Sequence, residues 1–187
     1  PSAIVAFLLT RRKTGITGQS LRAISRRVYR QLYDATSEEA SMQIKNSLEL
    51  LGSSETLSVK DGRLWPPKRK NPGYSELKIL SRLVEPILEE LFVILSLAST
   101  RRFNELHLRD KTESILNYLR ELRKTSKLTN LTQGLAEEFI EKAISSSLIR
   151  VTEDTSVHTG RVAQLAIALF EPLMNEDVIE ILSKQAT

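Results

Sequence analysis

The chain contains no cysteine, and it has little glycine, proline or aromatic side chain. The absence of cysteine excludes disulfide bonds, thiolate nucleophiles and zinc sites built from thiolates, and it fits a reducing compartment. With only 7 Gly and 6 Pro among 187 residues, collagen-like and low-complexity classes are excluded as well. The content of 41% hydrophobic and 27% charged residues is typical of a globular protein with one well-buried domain or two small ones.

The sequence patterns that carry enzyme chemistry are also missing. No glycine-rich phosphate loop, nucleophile elbow or zincin spacing is present. The only histidines, His107 and His158, are not spaced from another His or a carboxylate as a ligand set would be, so we interpret both as surface residues. Trp65, which precedes Pro66, is interpreted as a hairpin anchor. We therefore predict no catalytic residue, no metal and no cofactor in this chain.

The densest apolar run in the middle of the chain is Ile87–Ala98. It is shorter than the roughly 20 apolar residues of a membrane span, and it contains Glu89 and Glu90. We predict a central helix that is buried on nearly all sides, with Leu91 and Phe92 in the core. Because an interior proline costs a helix about 3 kcal/mol, Pro86 predicts a kink or a restart there.

Three helices and a β-hairpin are predicted before the middle of the chain. The helices are 3–10, 17–33 and 37–51, and the hairpin strands are 56–59 and 63–65, joined by an Asp61-Gly62 turn. The third helix has a capping-box pattern at Thr36 and Glu39. Its apolar spacing predicts burial of Met42, Ile44, Leu48 and Leu51.

The second part of the chain follows a proline-rich segment at 66–73. The predicted elements are helices 75–100, 105–124 and 133–147, strands 148–151 and 156–158, and closing helices 162–173 and 176–182. Thr132 is the predicted cap of the helix at 133. The helix 105–124 is predicted to bury Leu108, Ile115, Leu119 and Leu122.

The order of the elements occurs twice, first in 3–65 and again in 87–158. Thr10-Arg11-Arg12 and Thr100-Arg101-Arg102 mark equivalent helix ends. We predict a mainly α fold with two small β-hairpins, in which two winged-helix-like repeats pack around the central apolar helix. The predicted domains are 1–65, a basic linker 66–73 and 74–187, and the last can form one compact domain. Chance recurrence of short elements is the alternative.

Positive charge is concentrated at the beginning of the chain. Residues 1–70 hold 13 Lys and Arg against 6 Asp and Glu, a net charge of +7, whereas the remainder hold 14 against 17, a net charge of −3. The candidate face for an anionic partner consists of Arg11, Arg12, Lys13, Arg22, Arg26, Arg27 and Arg30. Its predicted partner is an anionic membrane surface or a phosphate-bearing substrate. A merely solvated helix face is the alternative.

Nucleic acid is a less favoured partner because the third helix of each repeat is acidic. In a winged-helix module this helix can enter a DNA major groove. The first copy carries Glu38, Glu39 and Glu49 against Lys45, and the second carries Glu137, Glu138 and Glu141 against Lys142. Such helices are expected to repel phosphate.

Three segments together resemble a known family. They are Ala3-Ile4-Val5-Ala6-Phe7-Leu8-Leu9-Thr10-Arg11 with Gly15-Ile16, then Ser47-Leu48-Glu49-Leu50-Leu51-Gly52, then Val84-Glu85-Pro86-Ile87-Leu88-Glu89-Glu90-Leu91. In this order they resemble the C-terminal region of glycerol-3-phosphate and dihydroxyacetone-phosphate acyltransferases. Members of that family are membrane-associated enzymes that acylate the first hydroxyl of a glycerol-phosphate backbone from an acyl thioester.

The resemblance implies a role outside the catalytic domain. The family hallmark is a His with an Asp five positions on, but Thr112 follows His107 at that spacing and Ala163 follows His158. The chain is therefore expected to be part of a longer protein and to act as a non-catalytic C-terminal helper domain, with the catalytic domain of the parent chain as its partner. The expected location is intracellular, membrane-associated through the parent protein. The alternatives are a tandem winged-helix-like protein- or nucleic-acid-interaction module without enzymatic activity, and a helical scaffold without a ligand.

Overall fold

The computed structural model describes residues 1–12, 14–54, 56–100, 103–123 and 135–186. The fold is mainly helical with small sets of antiparallel strands, as predicted. The chain divides into two compact units, Pro1–Glu85 and Pro86–Thr187. The predicted domain boundaries and the packing of both repeats around one helix stay predictions, and each unit is described by itself.

The first unit has the order of elements of a winged-helix module. It contains α1 (Ser2–Arg11), β1 (Ile16–Thr17), α2 (Gly18–Tyr33), α3 (Ser37–Ser53), β2 (Ser58–Lys60), β3 (Arg63–Trp65) and the beginning of α4 (Pro72–Ser99). The sheet order is β1-β3-β2, with Leu64 opposite both Ile16 and Val59. The predicted hairpin is therefore two strands of a three-stranded sheet, because β1 pairs with it across a long sequence separation.

The core of the first unit begins with α1, where all six residues from Ile4 to Leu9 are buried. The capping box at Thr36 and Glu39 is present at the start of α3, as predicted. In α3, Ile44 and Leu51 are buried and Leu48 is half-buried. The predicted burial of Met42 is wrong: its side chain is 55% exposed, because the buried line of α3 runs through Ala40, Ile44, Ser47 and Leu51.

The helix α4 confirms the central prediction and corrects one detail. Residues 88–95, 97 and 98 are buried, so the helix is covered on nearly all sides in this part. Leu91 is 5% exposed and Phe92 is 2% exposed. Of the kink or restart expected at Pro86, the restart is wrong, because α4 is one continuous helix through that residue, and the kink stays a prediction. Burial of Val84 and Leu88 on either side offsets the local cost of the proline.

The second unit repeats the winged-helix order. After the remainder of α4 it contains α5 (Glu105–Arg123), α6 (Leu135–Ser145), β4 (Ile149–Val151), β5 (Val157–Thr159), α7 (Arg161–Phe170), a short 3-10 helix (Glu171–Leu173) and α8 (Glu176–Ala186). An isolated bridge joins Asn104 to Ser156, and the amide of Val157 donates to the carbonyl of Phe103. β5 therefore lies between residues 103–104 and β4, which matches the order in the first unit.

Most of the core predicted for α5 is present, with Leu108, Ile115 and Leu119 buried. The predicted burial of Leu122 is wrong, since its side chain is 53% exposed. It continues the same line of residues, but it lies in the last turn of α5 next to the exposed Glu121. The predicted cap Thr132 and the helix-end residues Arg101 and Arg102 lie outside the described residues.

Helices α2 and α5 correspond residue by residue at an interval of 87 positions. The buried pairs are Leu21 and Leu108, Ser25 and Thr112, Val28 and Ile115, and Leu32 and Leu119. The helix caps correspond at the same interval: Thr17 Oγ1 accepts from the amide of Ser20, and Asn104 Oδ1 accepts from the amide of His107. The second helix of each unit therefore has a side-chain cap at the equivalent position and an equivalent line of buried residues.

The cap at Asn104 gives a first testable prediction. Replacing Asn104 by alanine is expected to lower the free energy of unfolding by about 1 kcal/mol, because an amide of the first turn of α5 loses its acceptor. Asn104→Ser is the control, since a serine hydroxyl can accept the same hydrogen bond. Urea unfolding followed by circular dichroism measures both. Equal stability of the alanine and wild-type proteins would contradict the assignment of this cap.

Candidate functional site

The two units differ in charge although they share a topology. Residues 1–85 hold 15 Lys and Arg against 8 Asp and Glu, a net charge of +7, whereas residues 86–187 hold 12 against 15, a net charge of −3. The predicted basic face lies in the first unit. An anionic partner would therefore be attracted to the first unit rather than the second.

Four arginines of the predicted face lie on α2, and all four are exposed: Arg22, Arg26, Arg27 and Arg30. The helix contains no acidic residue. Within the described ranges, none of the four forms an ion pair. Three donate hydrogen bonds to neutral oxygens: Arg22 Nε to the carbonyl of Gly18 at 3.2 Å, Arg26 Nη1 to Ser41 Oγ at 3.3 Å, and Arg30 Nε to the carbonyl of Ala35 at 3.3 Å. Their charge is left available to an external anion.

Two tyrosines share one side of α2 with three of these arginines. We call this surface the α2 face, and it consists of Arg22, Arg26, Tyr29, Arg30 and Tyr33, which follow one another at helical spacing. Tyr29 is half-buried and Tyr33 is 53% exposed. Their ring centroids lie 4.7 Å apart with an interplanar angle of 33°. Sequence reasoning missed the tyrosines, although their spacing from the arginines was visible.

The remaining residues of the predicted face are placed differently. Arg11 forms an ion pair with Glu85, and its guanidinium carbon lies 5.8 Å from the centroid of the Phe7 ring. Arg12 is half-buried, and its Nε is buried with no hydrogen-bond partner among the described residues. Lys13 lies outside the described residues. The structure therefore brings together the α2 arginines, whereas Arg11 is held within the fold.

The equivalent arginine of the second unit is neutralised by carboxylates. Arg109 corresponds to Arg22, and it contacts Glu105 at 2.7 Å, Glu137 at 2.6 Å and Glu141 at 3.8 Å. The hydrogen bond to Glu105 is the main reason why the pKa of Arg109 is raised, and the charges of all three carboxylates add to it. The residue of α2 that corresponds to Glu105 is Gly18, which has no side-chain carboxylate. The equivalent arginines of the two units therefore have different electrostatic surroundings.

The third helices keep the acidic character that the sequence predicts. In α3, Glu38 is exposed and Lys45 lies 3.8 Å from Glu49. In α6, Lys142 lies 3.8 Å from Glu138. Lys45 and Lys142 therefore each form an ion pair with a carboxylate of the same helix. A nucleic-acid groove would meet more negative than positive charge on either helix.

A small apolar cavity lies within the second unit. Its volume is about 230 Å³, and its lining includes Phe92, Leu97, Ile167, Ile179 and Leu182. Within the part of the chain that the structure describes, no three His, Asp or Glu side chains gather as a metal site would require. His107 is exposed and His158 is half-buried. Among the described residues, the side chains of His107 and His158 form no hydrogen bond or ion pair.

Trp65 occupies the position predicted for it. It lies in β3, and its half-buried indole packs against Gly15 so closely that a Cβ on Gly15 would lie 2.4 Å from Trp65 Cε2. Gly15 is needed here because any side chain would collide with the ring. The tryptophan therefore anchors the sheet of the first unit to the segment that leads into α2.

The most unusual titratable group is Glu90, in the buried part of α4. Its side chain is 1% exposed, and neither carboxylate oxygen has a hydrogen-bond partner among the described residues. Burial raises the pKa of Glu90 to about 7, although the positive charge of Arg120 opposes this shift. The neighbouring Glu89 instead accepts a hydrogen bond from Asn175 Nδ2 at 2.6 Å. The sequence showed the two carboxylates but not their different surroundings.

Two further findings bear on function. No helix among the described residues is both long enough and apolar enough to cross a membrane. The acyltransferase resemblance rests on the segments quoted above and stays a prediction. Comparison with protein-family models, curated proteins and solved structures gave no match to this chain.

Proposed function

We propose that this chain is a non-catalytic helper region of a larger enzyme and that its first unit binds an anionic partner through the α2 face. The observation that supports this proposal is the contrast between equivalent positions: Arg109 is held by three carboxylates, whereas Arg22 has none among the described residues. Like charges three or four residues apart destabilise a helix by about 0.2 to 0.5 kcal/mol per pair. The α2 arginines thus work against the stability of their own helix, which favours a binding role.

The larger enzyme in this proposal is the one that the sequence resemblance implies. It is an acyltransferase that acylates glycerol 3-phosphate or dihydroxyacetone phosphate from an acyl thioester. The helper region would contact the catalytic domain of the parent chain, and its anionic partner would be a membrane surface or a phosphate-bearing substrate. The intracellular, membrane-associated location follows from the same resemblance.

A second candidate is a protein-interaction module that uses the winged-helix units without serving an acyltransferase. It is favoured by exposed apolar side chains on the third helix and the strand beyond it in the first unit. Met42 is 55% exposed, Leu50 62% and Val59 72%. These residues lie on the elements that winged-helix modules present to their partners. The nucleic-acid version of this candidate is weaker because α3 also carries Glu38 and the Lys45–Glu49 pair.

Polyanion binding tests the proposal with a matched pair of variants. The R22Q/R26Q/R30Q variant and the control K68Q/R69Q/K70Q each remove three positive charges from exposed positions of the first unit. The wild-type chain is expected to bind inorganic polyphosphate with an affinity that falls as salt rises. The α2 variant should lose about tenfold or more in affinity, and the control much less. Isothermal titration at two salt concentrations measures this.

Equal losses in the two variants would contradict the proposal, because binding would then depend on net charge alone. Full affinity of the α2 variant would contradict it as well. Circular dichroism of each variant shows whether the fold is retained, and the surface positions make retention the expected result.

A further inference from the structure

We infer that the partner of the α2 face is the surface of an anionic lipid bilayer. This inference rests on the proposed function and names the partner of the same site. Three features of the α2 face carry it: its shape, its tyrosines and the charges on the elements beside it.

The shape of the α2 face fits a planar partner. Arg22, Arg26 and Arg30 follow one another at four-residue intervals, so their line extends for about 12 Å along one side of the helix. Another side of α2 is buried through Leu21, Val28 and Leu32. The three arginines therefore form an exposed row on the folded unit, and such a row can contact several phosphate headgroups at once.

The tyrosines add a second feature typical of bilayer surfaces. Tyrosine is enriched at the headgroup level, where its ring meets apolar chains and its hydroxyl meets water. Tyr33 is exposed at the end of the arginine line, and Tyr29 packs against it at 4.7 Å between ring centroids. No large apolar side chain is exposed elsewhere on α2, so attachment would be electrostatic with an aromatic contact at one end.

The charges beside α2 argue against a nucleic acid. A duplex that receives a helix in its major groove meets both flanks of that helix, and the neighbouring α3 presents Glu38 and Glu39, both exposed. Single strands are usually held in a positively charged groove with bases stacked on aromatic faces. Here Tyr29 packs against Tyr33 with ring centroids 4.7 Å apart, so this side of the Tyr33 ring is already in contact with another aromatic ring.

The expected strength is that of a weak, reversible attachment. Each basic residue near an anionic bilayer raises the affinity about fivefold. Three arginines therefore raise it about a hundredfold over a neutral surface. Salt weakens such binding because the Debye length is only about 8 Å at physiological ionic strength.

Vesicle co-sedimentation of the whole chain tests the inference. The probes are vesicles of phosphatidylcholine alone and vesicles in which about one-third of the lipid is phosphatidylserine. Wild-type protein is expected to bind the second kind only. R22Q/R26Q/R30Q should lose about a hundredfold in affinity, while K68Q/R69Q/K70Q, which removes the same charge from the neighbouring linker, should lose less than about tenfold. Tyr33→Ala should weaken binding by a smaller factor than the triple arginine variant.

The outcomes separate this inference from the proposed function. Polyphosphate binding through the α2 face without binding to phosphatidylserine vesicles would overturn the lipid inference and leave the proposed function standing. Loss of both kinds of binding would overturn both. Tighter binding of single-stranded RNA than of the anionic vesicles, with the same dependence on Arg22, Arg26 and Arg30, would also overturn the lipid inference. Equal losses in the two triple variants would overturn it too.

Discussion

Replacing Phe92 by alanine is expected to lower the free energy of unfolding by about 3 to 5 kcal/mol. Phe92 is 2% exposed and belongs to the run of buried residues 88–95 in α4. It also lines the cavity of about 230 Å³ in the second unit. Removing the ring would enlarge that cavity, so the loss of buried apolar surface would be joined by a cavity cost.

Leu106→Ala is the matched control for Phe92→Ala. Leu106 lies in the first turn of α5 and is 65% exposed, so its truncation is expected to change stability by less than about 0.5 kcal/mol. Urea unfolding followed by circular dichroism measures both variants. A loss below about 1 kcal/mol for Phe92→Ala, with an unchanged slope against urea, would show that this part of α4 is not core.

The positions of the helices could be predicted from the sequence because their periodicity is a local property. The spacing of Leu21, Ile24, Val28 and Leu32 predicts the apolar side of α2, and all of them are buried except Ile24, which is half-buried. The strand β1 could not be predicted in this way, because Ile16 and Thr17 become a strand only by pairing with Leu64 and Arg63. A two-residue strand has no periodicity of its own.

Pro86 shows how burial can override part of a local rule. Proline removes a hydrogen bond from a helix interior and predicts a kink or a restart, of which the restart does not occur. The helix α4 continues because Leu77, Val84 and Leu88 are buried along it. Burying one such side chain contributes about 1.5 to 3 kcal/mol, so a few of them together outweigh the cost of the proline. Sequence alone showed these side chains but not what covers them.

The order of elements in the sequence showed the internal repeat, but it did not show which residues of the two copies are equivalent. Equivalent residues of helices α2 and α5 are separated by 87 positions in the sequence. The separation is 90 positions for Thr10 and Thr100, and 92 positions for Val59 and Val151. The connections differ in length: β2 and β3 are joined by Asp61-Gly62, and β4 and β5 by residues 152–156. No single interval therefore aligns the whole chain, and the equivalence of Arg22 and Arg109 was hidden.

The candidate site was predictable only in part. The four-residue spacing of Arg22, Arg26 and Arg30 correctly indicated one exposed basic side of α2. The ion pair of Arg11 with Glu85 joins residues 74 positions apart, so no local pattern could show that this arginine is held within the fold. The neutral surroundings of the α2 arginines also depend on α3, whose Ser41 rather than a carboxylate contacts Arg26.

Replacing Glu90 by glutamine is expected to stabilise the protein at neutral pH and above. The carboxyl group is buried, and its oxygens lack hydrogen-bond partners among the described residues. Its pKa is raised from 4.5 to about 7, so the folded state holds a proton that the unfolded state has released between these pH values. Stability should therefore fall as pH rises from 4.5 to about 7. Glutamine removes this loss, a gain of about 2 to 3 kcal/mol above pH 7.

The pH dependence separates this cause from a simple change in packing. Unfolding by urea is to be measured from pH 4.5 to above pH 7 for wild type, Glu90→Gln and the control Glu121→Gln, which removes an exposed carboxylate from α5. The fall in the free energy of unfolding between pH 4.5 and about 7 that Glu90 causes should be absent in Glu90→Gln and present in Glu121→Gln. Parallel pH profiles of wild type and Glu90→Gln would show that Glu90 stays ionised in the folded protein. The attraction of Arg120 would then outweigh the cost of burying the carboxylate.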